Sequence, residues 1–190
     1  PVLRKVAMHE IGVSRPAEIF WLCGLSGAGK STVANAVLER LSAEGMKVLS
    51  LDGDVIREHL HENLGFTRED VLTNNAGIAE LCASKSDSHD VILVPVISPL
   101  KEGRDAARQR LGDQYHLVWC AADIDTVRDR DVKGLYAGAD RGEITDLIGY
   151  SPDGLAFEEP VNPDLVLETG SRPTEECTQK LLEFIRGSFA

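Results

Sequence analysis

The sequence is organised around one segment, Gly24-Leu25-Ser26-Gly27-Ala28-Gly29-Lys30-Ser31-Thr32. This segment matches the pattern G-x-x-x-x-G-K-[ST]; a short apolar run precedes it, and a stretch with helical periodicity follows it directly. Glycines allow the backbone to curl so that successive N–H groups point at a phosphate, and the helix N-terminus adds a favourable dipole. The segment therefore predicts a P-loop that binds ATP or GTP together with Mg²⁺.

Two side chains of this segment have predicted tasks. We expect Lys30 to reach the β- and γ-phosphate oxygens and Ser31 to ligate Mg²⁺ through its hydroxyl. A merely glycine-rich turn is the alternative, but such a turn does not need a strand before it and a helix after it. The residues predicted to hold the nucleotide are Gly24, Ser26, Gly27, Ala28, Gly29, Lys30, Ser31 and Thr32.

Short apolar runs alternate with helical segments along the rest of the chain. The predicted strands are Ile19–Cys23, Lys47–Leu51, Val91–Ile97, Leu117–Cys120 and Leu165–Leu167. The predicted helices are Ser31–Glu44, Val55–Asn63, Arg68–Ser84, Gly103–Leu111, Thr126–Asp131 and Thr174–Phe189. Most of the strands are too uniformly apolar for a sheet with one solvated face. The pattern predicts an α/β fold, a parallel five-stranded sheet with helices on both faces.

The segment 132–161 differs from the rest of the chain, because it is rich in Gly, Asp and Pro and has few apolar runs. It is too long for an ordinary connection, so we expect a lid over the site. We assign residues 19–190 to the P-loop domain and residues 1–18 to an N-terminal extension. The apolar part of the extension, Val2–Val13, could pack on the core or against a second subunit in a homodimer.

Composition narrows the class of function. The 190 residues carry 20 Lys+Arg against 31 Asp+Glu, a formal net charge of −11. Such an acidic chain has no broad basic surface for nucleic acid or an anionic membrane, so local donors must meet any anion.

The chain contains no apolar run long enough to span a membrane and no signal-peptide core. We expect a cytoplasmic protein that acts on a small molecule. Its four cysteines are expected to be reduced and mostly buried.

Two aspartates follow the second predicted strand, in Leu51-Asp52-Gly53-Asp54-Val55-Ile56-Arg57. Side chains at the carboxyl edge of a parallel sheet face the ligand crevice. One carboxylate can hold Mg²⁺ and the other can accept a proton from an attacking hydroxyl, while Arg57 can pair with an anionic substrate. A helix cap with surface charges is the alternative interpretation of the same residues.

Further motifs follow in a definite order. They are Asn63-Leu64-Gly65-Phe66-Thr67-x-Glu69-Asp70, Ile97-Ser98-Pro99, Arg130-Asp131-x-Lys133-Gly134-Leu135-Tyr136, Gly142-Glu143-Ile144, Glu159-Pro160 and Asn162-Pro163. Together with the P-loop and the two aspartates, this series resembles the adenylylsulfate (APS) kinase family from about Ile19 to Thr169. The resemblance implies the nucleotide-kinase type of P-loop NTPase fold. It also implies transfer of the γ-phosphate of ATP to the 3′-hydroxyl of APS, which forms PAPS.

By this resemblance, the catalytic residues are Lys30, Asp52 and Asp54. Asp52 would lie with Ser31 near Mg²⁺, and Asp54 would deprotonate or orient the hydroxyl. Arg130 would lie against the ATP adenine, as a cation over a π-face. Lys133 would enter with the lid to meet phosphate charge, although an ordinary solvated loop lysine is the alternative.

The resemblance also implies an acceptor site. Phe66 would stack on the substrate base, with Arg57 and Asn74 on the substrate. Ser98 would lie near the active site, or else cap the helix that follows Pro99. The full set implied to bind the acceptor is Arg57, Phe66, Asn74, Ser98, Lys101, Lys133 and Leu147.

The sequence departs from the family pattern on the acceptor side. The family commonly has arginine where this chain has Val71, and Asn-Ile-Arg-Arg where it has Asn74-Asn75-Ala76-Gly77. Leu147 replaces the aromatic residue of the lid's F-T-G-[IV] segment, whereas Lys101 keeps a basic residue after Ile97-Ser98-Pro99. The missing arginines would donate to the phosphosulfate or order the helix that presents them. Each lost charged contact to an anion costs about 1.5 to 3 kcal/mol.

The sequence alone leaves three functions open. The first, which we favour, is APS kinase activity with a divergent acceptor site. The second is a kinase of the same fold that acts on a different, less anionic hydroxyl compound. The third is a nucleotide-binding module without turnover, which the intact Lys30, Ser31, Asp52 and Asp54 disfavour.

Overall fold

The computed structural model describes residues 15–60 and 64–189, which are built around five parallel strands. The strands are β1 (Glu18–Cys23), β2 (Val48–Ser50), β3 (Val91–Pro95), β4 (Tyr115–Cys120) and β5 (Leu165–Leu167). Their order across the sheet is β2-β3-β1-β4-β5, and every neighbouring pair is parallel. Because the strands are parallel, the segments that follow β1, β2 and β3 meet at one edge of the sheet.

Seven α-helices lie within the described residues. They are α1 (Lys30–Ala43), α2 (Gly53–Leu60), α3 (Arg68–Lys85), α4 (Lys101–Leu111), α5 (Ile124–Arg130), α6 (Leu135–Asp140) and α7 (Thr174–Ser188). Strands and helices alternate along the chain, as the apolar runs and helical segments predicted. The observed strand and helix ends lie within two residues of most predicted ones, so the alternation of the sequence is a reliable guide to the fold.

The sheet is covered on both faces because successive residues of β1 belong to two different cores. Phe20 and Leu22 pack in a hydrophobic cluster with residues of α1 and α7. Ile19, Trp21 and Cys23 pack in a second cluster with residues of α3 and α4. All six residues of β1 are buried, as expected for a central parallel strand. The predicted α/β fold, with helices on both faces of a parallel sheet, is confirmed.

The predicted lid, residues 132–161, contains one element that the sequence did not predict, the short helix α6. Asp131 stabilises the start of this helix, because its two carboxylate oxygens accept the backbone N–H groups of Tyr136 and Ala137 at 3.1 and 2.9 Å. The remainder of the segment consists of turns and irregular backbone. Movement of this segment as a lid stays a prediction.

Part of the predicted organisation falls outside the described residues. The segment Val2–Val13 lies there, and so do the last three residues, 61–63, of the predicted helix Val55–Asn63. Within the described ranges, β1 begins at Glu18, one residue before the predicted domain boundary. None of the helices in those ranges is long and apolar enough to cross a membrane.

The four cysteines are free and buried, which agrees with the prediction from their spacing. Burial raises the pKa of the Cys23 and Cys82 thiols to about 12. Because the thiolate is the reactive form, thiols with such pKa values are chemically inert at neutral pH.

Candidate active site

A cleft with a volume of about 270 Å³ lies at the carboxyl edge of the sheet. The predicted site residues that line it are Ser26, Gly27, Gly29, Lys30, Ser31, Thr32, Asp52, Asp54, Arg57, Phe66, Asn74, Ser98 and Lys133. We use "phosphate half" for residues 24–32 with Asp52. We use "acceptor half" for Arg57, Phe66, Val71, Asn74, Asn75, Ser98 and Ile148. Asp54 and Lys133 line the same cleft.

Glycine geometry shapes the loop of the phosphate half. Gly27 and Gly29 have φ angles of 75° and 88°, which residues with a Cβ rarely adopt. Gly24 is needed for a further reason, because a Cβ there would lie 2.7 Å from the carbonyl oxygen of Cys120. Helix α1 begins directly after Gly29, and no side chain caps its N-terminus. The positive end of the α1 dipole therefore faces a loop that is suited to an anion.

Lys30 is buried in the phosphate half, with an exposed fraction of 9%. Its ammonium donates to the carbonyl oxygens of Gly24 and Leu25, at 3.0 and 2.7 Å. Burial lowers the pKa of Lys30 because desolvation disfavours the charged form, while the neighbouring Cys120 and Asp54 oppose that shift. An anion in the cleft would favour the charged form, so this lysine is electrostatically suited to a phosphate.

Asp52 joins the P-loop to the segment after β2. One of its carboxylate oxygens, Oδ2, accepts a hydrogen bond from Ser31 Oγ at 2.6 Å. The other oxygen, Oδ1, accepts from the backbone N–H of Asp54 at 3.0 Å, in the first turn of α2. Asp52 therefore caps α2 and also faces the P-loop hydroxyl, and its role at Mg²⁺ stays a prediction.

Lys133 and Asp54 form an ion pair across the cleft, between the lid segment and α2. Both side chains are more than half exposed, so solvent screens this pair strongly. Lys133 therefore has a carboxylate partner in the cleft while its side chain stays solvated, and its predicted contact with phosphate stays a prediction.

Tyr136 anchors the lid segment to the phosphate half. Its hydroxyl donates to the backbone carbonyl of Ser26 at 2.9 Å, and its ring packs edge to face against Tyr150 with the ring centroids 5.2 Å apart. Burial raises the pKa of Tyr136 to about 12, so the hydroxyl stays a donor throughout the neutral range. Helix α6 thus rests directly on the P-loop.

Arg57 and Phe66 form one wall of the acceptor half. The Arg57 guanidinium lies 4.6 Å from the centroid of the Phe66 ring, and one of its nitrogens donates to the carbonyls of Leu64 and Gly65 at 3.0 and 2.6 Å. Phe66 keeps an exposed fraction of 43%, which is unusual for a large aromatic side chain. An exposed ring beside a fixed cation is suited to an anionic molecule that carries an aromatic base.

Ser98 lines the acceptor half, and it does not cap the helix after Pro99. Helix α4 begins at Lys101, and the backbone N–H of Lys101 donates to the carboxylate of Glu158, not to Ser98. Instead, Ser98 Oγ accepts a hydrogen bond from the amide nitrogen of Asn75 at 2.9 Å. The interpretation of Ser98 as a helix cap is therefore wrong, and its predicted position near the site agrees with the structure.

The remaining acceptor wall is apolar. Val71, with an exposed fraction of 3%, packs in a cluster with Leu100 and Ile148. Both Val71 and Ile148 line the cleft. Of the three positions where the family commonly has arginine, Val71 lines the cleft, whereas Ala76 is exposed and Gly77 is half-buried outside its lining. Arginine at Val71 would start from the cleft wall, but arginine at Ala76 would start from the outer face of α3.

Five predicted residues do not line the cleft: Gly24, Ala28, Lys101, Arg130 and Leu147. Leu147 packs in the core cluster beneath the lid segment, and the next residue, Ile148, takes the place in the cleft wall. Lys101 pairs with Asp105 on the surface of α4. Arg130 donates to the carbonyl of Thr169 at 2.7 Å. The predicted position of Leu147 in the acceptor wall is thus wrong, because Leu147 faces the core and Ile148 lines the cleft.

Sequence reasoning missed the residues that hold the loop after β3. Arg104 is almost fully buried and donates to the carbonyls of Ser98 and Glu158 at 2.7 and 2.6 Å. A signal for it exists in the sequence, because Arg104 falls on the apolar stripe of α4 with Ala107 and Leu111. Asn75 likewise stands on the buried stripe of α3 with Ile78 and Cys82, where a polar side chain needs a partner.

A P-loop with a buried lysine, a serine paired with a carboxylate, and a second carboxylate in the same cleft are typical of the P-loop phosphotransferases. The family model of adenylylsulphate kinase matches residues 16–168. The chain belongs to the adenylyl-sulfate kinase family, as its motifs predicted.

Individual relatives agree with this assignment. The chain is 37% identical to the adenylyl-sulfate kinase of Bacillus licheniformis, over 97% of this chain and 98% of that protein. It is 43% identical to the adenylyl-sulfate kinase of Paraburkholderia xenovorans, over 86% of this chain and 90% of that protein. The solved structure of the Mycobacterium tuberculosis APS kinase in complex with AMPPNP and APS matches with a TM-score of 0.83 and 34% identity, over 90% of this chain and 98% of that one.

Proposed function

We propose that this chain transfers the γ-phosphate of ATP to the 3′-hydroxyl of APS, which gives PAPS and ADP. The observation that carries the proposal is that Asp54 lines one cleft with both the P-loop Lys30 and the Arg57–Phe66 wall. The relatives named above, whose chains it matches over nearly their whole length, bear the name of this activity.

The phosphate half supplies the donors for ATP. The α1 N-terminus and the curled P-loop would bind the β-phosphate, and Lys30 would exchange its two carbonyl partners for β- and γ-phosphate oxygens. We place the adenine near Arg130, which is tied to the Thr169 carbonyl. These contacts hold the phosphoryl group in place for an in-line attack, which is the main contribution of such enzymes.

The residues of the phosphate half also fit a magnesium ion. Ser31 Oγ and Asp52 Oδ2 lie 2.6 Å apart, and hydroxyl and carboxylate oxygens are the ligands that Mg²⁺ prefers. We propose that Ser31 and Asp52 would hold it, Asp52 directly or through water. When bound, Mg²⁺ neutralises charge on the β- and γ-phosphates.

Asp54 is the proposed base. A bond forms between the 3′-oxygen of APS and the γ-phosphorus, the bond from that phosphorus to the bridging oxygen of ADP breaks, and the hydroxyl proton passes to Asp54. Asp54 becomes neutral when it takes this proton. Its ion-pair partner Lys133 can then pair with the negatively charged phosphoryl group instead. The exposed Phe66 ring and the Arg57 guanidinium would receive the adenine and the phosphosulfate of APS.

The alternative acceptor deserves a direct test because Val71 and Ile148 make part of the acceptor wall apolar. A coupled assay of ADP release would compare APS with other nucleoside diphosphate analogues and with simple alcohols, against ATP alone. We expect APS to give the strongest signal. A larger signal from an uncharged alcohol would overturn the proposed acceptor. ADP release that no acceptor raises above the background would instead support the module without turnover.

A further inference from the structure

Asn75 is a polar side chain that α3 buries against the loop after β3. Its exposed fraction is 2%, and it stands on the same buried stripe as Ile78 and Cys82. It also lines the cleft, so one side chain is both part of the helix packing and part of the acceptor half. A buried amide at such a position needs a partner, and Asn75 finds it in Ser98 Oγ at 2.9 Å.

The loop that carries Ser98 is held at two points. Arg104 donates to the Ser98 backbone carbonyl at 2.7 Å, which fixes the backbone. Asn75 donates to the Ser98 hydroxyl oxygen, which fixes the side chain. The backbone of Ser98 has a φ of 44°, a conformation that residues other than glycine seldom adopt and that is typical of ligand-binding loops.

The direction of this hydrogen bond has a chemical consequence. The Asn75 amide uses a lone pair of Ser98 Oγ, so the proton of that hydroxyl must point to a different acceptor. Because Ser98 lines the cleft, an anionic oxygen of the acceptor molecule is a suitable partner. Asn75 and Ser98 thus form a neutral chain of donors on a wall where Val71 offers no charge.

We propose that Asn75 is a positioning residue that orients the Ser98 hydroxyl as a donor to the phosphosulfate of APS. Ser98 touches the substrate, and Asn75 acts through Ser98. This inference rests on the proposed function, because it takes APS as the acceptor. It assigns to a pair of uncharged side chains part of the affinity that charged arginines would otherwise provide.

Gly103 offers a way to move the amide without altering either partner. A Cβ at Gly103 would lie 2.8 Å from the Asn75 amide nitrogen, so Gly103→Ala pushes that group away from its present position. A matched control lies in a different groove of the protein. There, the Gln114 amide donates to the buried Ser86 hydroxyl at 3.1 Å, which is the same chemistry away from the cleft.

The test measures kcat, the KM for APS, the KM for ATP and the thermal midpoint of the full chain and its variants. The parent is first assayed with APS. The variants are Asn75→Ala, Ser98→Ala, the double variant, Gly103→Ala and the control Gln114→Ala.

We expect Asn75→Ala and Ser98→Ala each to raise the KM for APS about tenfold, with the KM for ATP changed less than about twofold. The KM for APS of the double variant should be no more than about twofold higher than that of the more impaired single variant, because each substitution breaks the same Asn75–Ser98 pair.

Gly103→Ala should raise the KM for APS by about threefold, and Gln114→Ala should leave it unchanged while lowering the thermal midpoint. An unchanged KM for APS in folded Asn75→Ala would overturn the inference, and so would multiplicative effects in the double variant. If Asn75→Ala does not fold, an unchanged KM for APS in Gly103→Ala has the same meaning. A parent that does not phosphorylate APS would contradict both the proposed function and this inference. An active parent whose variants keep the parent KM for APS would contradict only this inference.

Discussion

The phosphate half of the cleft comes from one continuous segment and a single aspartate, whereas the acceptor half is assembled from separate parts of the chain. Residues 24–32 form a loop whose curled backbone depends on Gly24, Gly27 and Gly29. The acceptor half takes side chains from α2, α3, the loop after β3 and the lid segment. One half therefore depends on conformation, and the other depends on which side chains several elements present.

This difference explains why only one half departs from the family pattern. Replacing a glycine of the P-loop would close the loop onto Cys120 or strain its backbone, so almost any change there is costly. Replacing an arginine of α3 by Val71 changes one contact, and the valine finds a place against Leu100 and Ile148. The acceptor half can thus vary without any displacement of the phosphate half.

The largest expected effect comes from breaking the phosphate half at Lys30. We expect Lys30→Ala to lower kcat/KM by about a thousandfold, because a preorganised charged donor to the phosphates is lost. The fold should persist, since the change removes a buried charge rather than a packed apolar group. Steady-state kinetics and circular dichroism check this. The control is Lys180→Ala, on the exposed surface of α7. Activity within about tenfold of the parent would refute the role of Lys30.

Asp54 lines the cleft together with residues of both halves, so its replacement is the next test. Asp54→Asn should lower kcat by about a hundredfold, because the amide cannot take the proton of the attacking hydroxyl. The ion pair with Lys133 is exposed, so its loss should change the free energy of unfolding by less than about 1 kcal/mol. Turnover and chemical denaturation measure the two quantities. If kcat stays near the parent value while stability falls, Asp54 is a structural residue and not the base.

A positive charge introduced into the acceptor half should improve the binding of APS. Val71→Arg should lower the KM for APS several-fold, because a guanidinium at this position faces the cleft. It should also lower the thermal midpoint, because the valine leaves its cluster with Leu100 and Ile148. Ala76→Arg is the matched control, since Ala76 is exposed on α3, and it should leave the KM unchanged. Equal effects of both arginines would show that general charge, and not position, governs APS binding.

The smallest effect concerns the contact between the lid segment and the P-loop. Tyr136→Phe removes the hydrogen bond to the Ser26 carbonyl and should cost about 0.5 to 1.5 kcal/mol of the free energy of unfolding. Burial raises the pKa of Tyr136 from 10.0 to about 12 in the folded chain. The protonated hydroxyl therefore stabilises the fold fully below pH 10, and this contribution is lost as the pH rises towards about 12. Denaturation curves of parent and variant that stay parallel across this range would contradict the assignment.

Local signals predicted the fold and the phosphate half well. The P-loop needs only its own glycines, and the two aspartates are predicted to face the cleft because they follow a parallel strand. Helix α6 could not be predicted, because its six residues depend on the Asp131 carboxylate and on the contact of Tyr136 with Ser26. The choice between Leu147 and Ile148 also depends on tertiary packing, since irregular backbone has no periodicity that assigns a face. The outward position of Ala76 could have been predicted from the stripe of Val71, Ile78 and Cys82 on α3.

An intact phosphate half and a modified acceptor half should serve one reaction. The most direct measurement incubates the parent chain with γ-labelled ATP and an equimolar mixture of APS and simple alcohols, and identifies the labelled product. We expect the label on the 3′-oxygen of APS, as PAPS. Label on an alcohol, or in free phosphate only, would contradict it.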